Sequence, residues 1–479
     1  MHALNNEAIQ ETTRLTDAGL RKSRLKRLAV ALLFLPFVLT LVSWLWFPAL
    51  SEGLIRLIGY TPVFQSTSVL WYVVVWFFYS WYTFLAVGVA GFFVVVAWFV
   101  RRRKSGFKPR SVFYPMVSFV VPCFNEGKRV GRCVLSLFDC ASRYTGLCEI
   151  IVVDDGSTDL TYEIAWGAVD VGRRRYPDVR GKVVRHSANL GKVETVRSGV
   201  NKAFGSLIAV VDGDSWWAPD TLVKLVDYML VNGKVAVTGY VHPSDGEHET
   251  NSYSILQQLE YSQGLGIFRC AQSYGDCVTV VPGAMGVFRA DILRDILNVY
   301  SPKSVTEDLE ITLDLQKRGL NVGYAGEAFG GTVAPLSLGG FWGQRLRWFV
   351  GWLDNCLGVH RDLLFKRKWI SALLWFTLIT EYGGALVDLA ALVGFPFLFW
   401  FAPDRVFFTL NFLVFLAYGL AVGAVSQAIA LRFCYGRFNW GWLLVYSPFY
   451  YTLKFLNAAA RLVGSARFFL LRDKGNWNK

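Results

Sequence analysis

Apolar runs long enough to cross a bilayer stand on both sides of a polar block of about 250 residues, and this layout limits the fold more than any other feature. Leu28–Phe47 offers about 20 apolar residues, which at 1.5 Å each cross a hydrocarbon core of roughly 30 Å. Val69–Val100 is longer and spans with tilt or with an interfacial extension. No small-residue cleavage site follows the first run, so it reads as a retained anchor. Basic clusters at 21–27 and 101–110 lie outside this pair, with only Arg56 between them, which predicts a cytoplasmic N-terminus and a cytoplasmic central block. Three more runs follow, Trp369–Phe401, Val406–Leu431 and Trp440–Leu456. The first has Glu381 in its middle and Asp388 beyond, and reads either as an interfacial helix entering one span or as two short spans. Glu381 and Asp388 line a polar path or, for Glu381, sit at the interface; both readings stay open. Three single C-terminal spans would put the basic tail outside, against the charge rule, so the side of the C-terminus also stays open.

The predicted organisation is a cytoplasmic segment (1–27), two transmembrane helices (28–100), a cytosolic domain (110–335), amphipathic interfacial helices (336–368), C-terminal transmembrane helices (369–460) and a basic tail (461–479). The interfacial segment interleaves Trp342, Trp348 and Trp352 with Arg345, Arg347 and Arg361, the pattern of a helix in the headgroup plane. Composition agrees: 53% hydrophobic content and 18 tryptophans exceed what a soluble enzyme carries. The net charge of +13 sits largely in clusters beside apolar runs, which points to anionic lipid and away from nucleic acid. Eight cysteines without a C-x-x-C and five scattered histidines argue for reduced structural thiols and against a zinc site.

The central block alternates strand and helix signals. Met116–Pro122 reads as a buried strand, Val130–Ser142 as a helix, and EIIVV as a second strand ending in Asp154-Asp155. Helix Thr161–Arg174, strand Lys182–Arg185 and a Gly191-Lys192 turn opening another helix follow. Strand Ser206–Val211 then ends in Asp212-Gly213-Asp214. This order implies a mostly parallel sheet with right-handed crossovers, whose ligands sit at the carboxyl ends of the strands, where both acidic clusters fall.

Each cluster has a chemical reading. A carboxylate pair at a strand end suits the N–H and hydroxyl groups of a uracil nucleoside, so Asp154 and Asp155 are candidates for it; the alternative is that they cap the next helix with Ser157 and Thr158. Asp212 and Asp214 suit a hard divalent cation, Mg²⁺ or Mn²⁺, on a diphosphate. Lys192 either places an ammonium on the phosphates or is a solvated lysine at a helix start. Downstream stand Thr306-Glu307-Asp308 and then Gln344-Arg345-Leu346-Arg347-Trp348.

With these motifs in this order, the chain resembles the membrane-embedded processive glycosyltransferases of family 2, such as cellulose, chitin, hyaluronan and poly-N-acetylglucosamine synthases. The resemblance runs motif by motif over about 110–365. It implies an α/β Rossmann-like, GT-A-type domain inserted between transmembrane helices of a multi-pass cell-membrane protein. It also implies transfer from a UDP-sugar to a growing β-linked glycan, with inversion and passage of the polymer across the membrane. On this resemblance Asp308 is the base and Glu307 supports it, while Gly283, in the segment 257–293, belongs to the acceptor region or to a plain strand-turn. Gln344, Arg347 and Trp348 complete the cleft, with Arg347 on the diphosphate and Trp348 under an acceptor pyranose. Thr306 is alternatively a helix cap. Family hyaluronan synthases usually carry Gly-Asp-Asp where this chain has Thr-Glu-Asp, which favours the other products. The rival reading is a non-processive membrane glycosyltransferase with a lipid acceptor.

Overall fold

The computed structural model describes residues 77–104, 114–244, 252–300, 304–366, 368–402, 404–436 and 440–471, with a few residues between 38 and 59. The first predicted span (28–47) lies largely outside them, as do the N-terminal segment, residues 105–110 and the tail past Leu471. The chain divides into two compact units, Met1–Val96 with Gly394–Gly423, and Ala97–Val393 with Ala424–Lys479. The described residues of the first are mostly helical and pack through aromatic rings: Phe395 lies 4.2 Å from Phe412, and Tyr79 meets Phe415 edge-on at 5.5 Å.

The second unit is built on an eight-stranded sheet. Helix α1 (Ala90–Lys104) leads to β1 (Val117–Cys123), α2 (Val130–Ser142), β2 (Cys148–Asp154), α3 (Thr161–Arg175), β3 (Arg180–Arg185), α4 (Lys192–Asn201) and β4 (Leu207–Val210). Strands β1, β2 and β4 are buried along their whole length, as expected of parallel strands covered by helices on both faces; this is why they appear in the sequence as unbroken apolar runs. Next come β5 (Trp216–Trp217), α5 (Thr221–Val231), β6 (Ala236–Ser244), α6 (Ser252–Tyr261), β7 (Gly286–Arg289), α7 (Ala290–Asp295), α8 (Glu307–Lys317) and β8 (Val322–Val333). The spatial order is β3-β2-β1-β4-β7-β6-β8-β5.

Six of the eight strands run the same way, as a mostly parallel sheet requires, and two, β7 and β5, are reversed. Strand β7 pairs antiparallel with both β4 and β6, and β5 antiparallel with β8, while β6 and β8 run parallel. The reversal has a consequence for the site. An antiparallel β7 starts where β4 ends, so the Pro282-Gly283 turn before β7 lies beside Asp212, whose N–H donates to the Gly283 carbonyl at 3.0 Å. The core beneath holds Phe119 edge-on to Trp217 at 5.5 Å, and the Trp217 indole N–H donates to the Ala284 carbonyl at 3.0 Å.

Past the sheet run α9 (Leu338–Leu353), α10 (Trp369–Thr377), α11 (Gly384–Trp400), α12 (Arg405–Tyr435) and α13 (Trp440–Leu470). Among the described residues three helices are long and apolar enough to cross a membrane: Phe77–Arg102, Trp369–Trp400 and Arg405–Tyr435. The awkward run around Glu381 is one continuous helix, α10 joined to α11 through a π-helical turn at Leu378–Gly383. Such turns accommodate an extra residue without breaking the helix. The run expected to end at Leu456 continues as helix to Leu470, because Ala458, Ala459 and Ala460 favour the helix and no proline follows them.

Close packing of α3 on α2 gives a direct test of this fold. A Cβ added at Gly172 would stand 2.3 Å from the Phe138 ring, whereas one at Gly167, on the same helix, meets nothing within 4 Å. Gly172→Ala should cost about 1–3 kcal/mol through overpacking. Gly167→Ala should be neutral or stabilise by up to about 1 kcal/mol through helix propensity. Thermal unfolding of the purified variants separates the two; equal midpoints would contradict this packing.

Candidate active site

The turn after β2 is held from inside. Asp154 is fully buried, accepting from the Ser157 N–H at 3.3 Å and facing the Arg185 guanidinium at 3.1 Å. Asp155 accepts from the N–H groups of Leu190 (3.0 Å) and Gly191 (2.8 Å) and lies 2.7 Å from His186 Nδ1. His186 Nε2 in turn lies 2.9 Å from Ser198 Oγ on α4. Neither acid caps α3, because Asp159 accepts from the Thr161 N–H at 3.0 Å. Asp155 therefore fixes the turn from which Lys192 springs. Gly191 occupies φ +89°, a conformation that side-chain-bearing residues rarely adopt, so glycine is required there.

Lys192 is the meeting point of the remaining motifs. Its ammonium lies 2.8 Å from Asp212 and 2.9 Å from Glu307. Burial disfavours that charge, but Asp212, Glu307 and Asp308 outweigh it and hold the pKa well above the usual lysine value. Gly283 closes over this pair: a Cβ there would stand 2.7 Å from both Asp212 Oδ1 and Lys192 Nζ, so any larger residue would displace one of them. Behind Lys192, Gly283, Glu307 and Asp308 lies a cavity of about 30 Å³, about one water in size.

Asp308 sits in the first turn of α8, with Oδ1 accepting from the Leu309 N–H at 2.8 Å. Burial, then the like charge of Glu307, raises its pKa to about 6, while Lys192 opposes the rise. Thr306 does not cap α8 with its side chain. Its hydroxyl accepts from Asn355 Nδ2 at 3.1 Å, and the same amide donates to Ser304 Oγ at 2.9 Å and to the Gly351 carbonyl at 2.9 Å. Gly351 approaches so closely that a Cβ would lie 2.5 Å from Thr306 Oγ1. The Thr306-Glu307-Asp308 turn is thus clamped to the end of α9, the helix that carries Gln344, Arg347 and Trp348.

On α9 the structure departs from the interfacial pattern. Arg345, expected to face headgroups, is only 4% exposed. It pairs with Glu260 at 2.6 Å and lies 4.4 Å over the Trp348 ring, while Asn457 donates to the other Glu260 oxygen at 2.8 Å. Trp348 also packs 6.4 Å from Tyr261, whose hydroxyl feels the charges of Arg345, Glu260 and Asp214 and is pushed by burial up to about 12. Gln344 keeps a buried Oε1 with no hydrogen-bond partner, and Arg347 makes no ion pair among the described residues. Sequence reasoning missed Arg345, Tyr261 and Asn355 as site-forming residues, and also buried Arg269, on which the Asp308 charge acts. Their signals are long-range pairings, invisible in local patterns.

Asp212 and Asp214 provide hard carboxylate oxygens. Asp214 accepts from Ser215 (3.1 Å) and Thr332 (3.2 Å), and burial plus the charge of Asp212 raises its pKa, a repulsion that a hard divalent cation relieves. Among the described residues no third His, Cys, Asp or Glu joins them, so phosphate oxygens of a bound nucleotide would supply further ligands. The donor set fits such an ion.

Comparison with known proteins places this geometry. Residues 118–297 match the family model described as glycosyl transferase family 2. An N-acetylglucosaminyltransferase of Mesorhizobium japonicum is 28% identical over 302 residues, 60% of this chain and 68% of that protein. Poly-beta-1,6-N-acetyl-D-glucosamine synthase of Staphylococcus epidermidis is 25% identical over 300 residues, 59% of this chain and 68% of that protein. The mannosyltransferase PcManGT of Pyrobaculum calidifontis, solved with GDP-Man and Mn²⁺, matches with a TM-score of 0.50 at 17% identity, covering 82% of this chain and 99% of that one. That likeness shows a shared mixed-sheet, Rossmann-like GT-A fold. Residues 118–297 therefore resemble a family 2 glycosyl transferase domain.

Proposed function

We propose that this chain is a membrane-embedded, processive, inverting glycosyltransferase that extends a β-linked glycan from UDP-N-acetylglucosamine and passes it across the membrane. The observation that carries this reading is the Lys192 ammonium joining Asp212, on the diphosphate side, to Glu307, next to the base Asp308. The names of the two relatives support N-acetylglucosamine as the sugar. Three apolar helices of spanning length support the membrane setting.

In this reading Asp154 and Asp155 shape the nucleoside end, and Lys192 turns its ammonium to the diphosphate oxygens. Arg347, which makes no ion pair among the described residues, adds a second cation there. A divalent ion held by Asp212 and Asp214 would offset the charge that gathers on departing UDP. Asp308 takes the proton of the acceptor hydroxyl as its oxygen attacks the anomeric carbon from the face opposite UDP; the sugar–UDP bond breaks and configuration inverts. Trp348, held flat under Arg345, offers an aromatic face to the acceptor. The apolar helices carry buried polar groups: Gln427 with both amide atoms unbonded, Ser447 Oγ and Asn457 Oδ1. Glu381 pairs with Arg461. Unpaired polar atoms are costly in an apolar helix layer, and sugar hydroxyls moving past would satisfy them.

The base assignment has a pH signature. A protonated Asp308 accepts no proton, so log kcat/KM should fall with unit slope as pH drops through about 6. Glu307→Gln removes a like charge and should move that limb to lower pH. Asp308→Asn should lose about 10²–10⁴-fold in transfer while retaining UDP binding. UDP release across pH 5–8 measures all three, and an Asp308→Asn variant above about a tenth of wild-type rate would contradict the assignment.

The acceptor role of Trp348 separates length from affinity. Trp348→Ala should shorten the product with donor KM about unchanged, and Trp348→Phe should restore length, because an aromatic ring keeps the apolar face on which a pyranose stacks. Electrophoresis of radiolabelled glycan reads product length; wild-type lengths with a weakened donor KM would move Trp348 to the donor side.

A further inference from the structure

Away from these acidic clusters, a cleft of about 830 Å³ opens between the end of α8, the turn at 275–277 and the start of α10. Its lining includes Asp276, Gln316, Asn321, Phe365, Lys368 and Trp369. The charge balance is positive. Asp276 is neutralised by Lys234, and Lys317 (3.1 Å) and Lys366 (3.4 Å) share the single carboxylate of Asp362. Lys368 makes no ion pair among the described residues, and its ammonium lies over Gly319, 3.5 Å from where a Cβ would stand. Exposed Phe365 and Trp369 line the cleft, and exposed Trp375 meets Phe365 edge-on at 6.2 Å beside it. Trp369 also opens the 32-residue apolar helix Trp369–Trp400.

A lone cation inside a cleft whose exposed aromatics stand at the start of a membrane-length helix has the chemistry of a lipid-headgroup site. We propose that this cleft binds the phosphate headgroup of an anionic membrane lipid, with Lys368 on the phosphate and Phe365, Trp369 and Trp375 against the acyl chains. The proposal rests on the membrane-embedded reading above. It commits to a lipid because the cleft mouth continues into the apolar helix, which a soluble phosphate would not need. Occupancy would anchor α10 against the end of α8, the helix whose first turn carries Asp308.

Native mass spectrometry of the full chain, released from nanodiscs of phosphatidylcholine containing phosphatidylglycerol, counts the anionic lipid retained. Wild type should keep phosphatidylglycerol, Lys368→Gln should keep about fivefold less, and Lys368→Arg should match wild type, since one lysine near a membrane surface contributes about 1 kcal/mol. Phe365→Ser, at an exposed position that the fold does not depend on, should also lower retention and serves if Lys368→Gln does not fold. Arg102→Gln, an exposed cation on another helix, should change nothing. Equal loss in Arg102→Gln would reduce the effect to diffuse attraction and overturn the site. Displacement of the lipid by inorganic phosphate would overturn it in favour of a soluble anion. Extraction of the chain from vesicles by alkaline carbonate would remove the membrane reading and this proposal together. A chain that stays embedded while Lys368→Gln and Phe365→Ser retain lipid like wild type would remove the cleft assignment alone.

Discussion

The Lys192 ammonium, shared between Asp212 and Glu307, is the interaction on which the site depends. Three carboxylates gathered in a partly dry cleft repel one another, and one cation among them makes the cluster tenable before any ligand arrives. Its placement follows from the fold. Asp155 grips the backbone before Lys192, Gly191 supplies a conformation that other residues avoid, and antiparallel β7 brings Gly283 close enough to wall the pair in.

The Thr306-Glu307-Asp308 turn is tied to the helical layer. Asn355 bridges Ser304, Thr306 and the α9 backbone, and Gly351 admits the Thr306 hydroxyl at a distance no side chain would allow. Arg345, buried on the same helix, uses one charge to hold Glu260 and to cover Trp348. Breaking that pair by removing one partner would strand a buried charge, so α9 is constrained to a single register. The Thr306-Glu307-Asp308 turn at the start of α8 is therefore bonded to the end of α9, the helix that carries Trp348.

Much of this was legible before the structure. Strands β1 and β2 and helix α2 appear in the sequence at nearly their observed limits, because fully buried parallel strands leave unbroken apolar runs ending in turn residues. The acidic clusters, Lys192 and Thr306-Glu307-Asp308 were read as one site, and the ion pairs of Lys192 join Asp212 of one cluster to Glu307. What escaped was long-range. Strand β7 has four residues, too few for a periodic signal, so the sheet reversal was invisible. Arg345 stands among tryptophans as an interfacial cation would, and only Glu260, from a distant helix, shows that it is buried. Glu381 left two readings open until its pairing with Arg461 of α13 gave it a partner. The Asp154-Asp155 pair binds its own chain more fully than a nucleoside site suggests, because the loop it holds is the one that delivers Lys192.

The most direct measurement is mass spectrometry of the glycan made by the purified full chain in nanodiscs, supplied with one radiolabelled UDP-sugar at a time and a divalent cation. The account predicts a ladder of products from UDP-N-acetylglucosamine, spaced by one N-acetylglucosamine residue, with one UDP released per residue added. A single sugar transferred to lipid, or UDP released with no glycan formed, would contradict it.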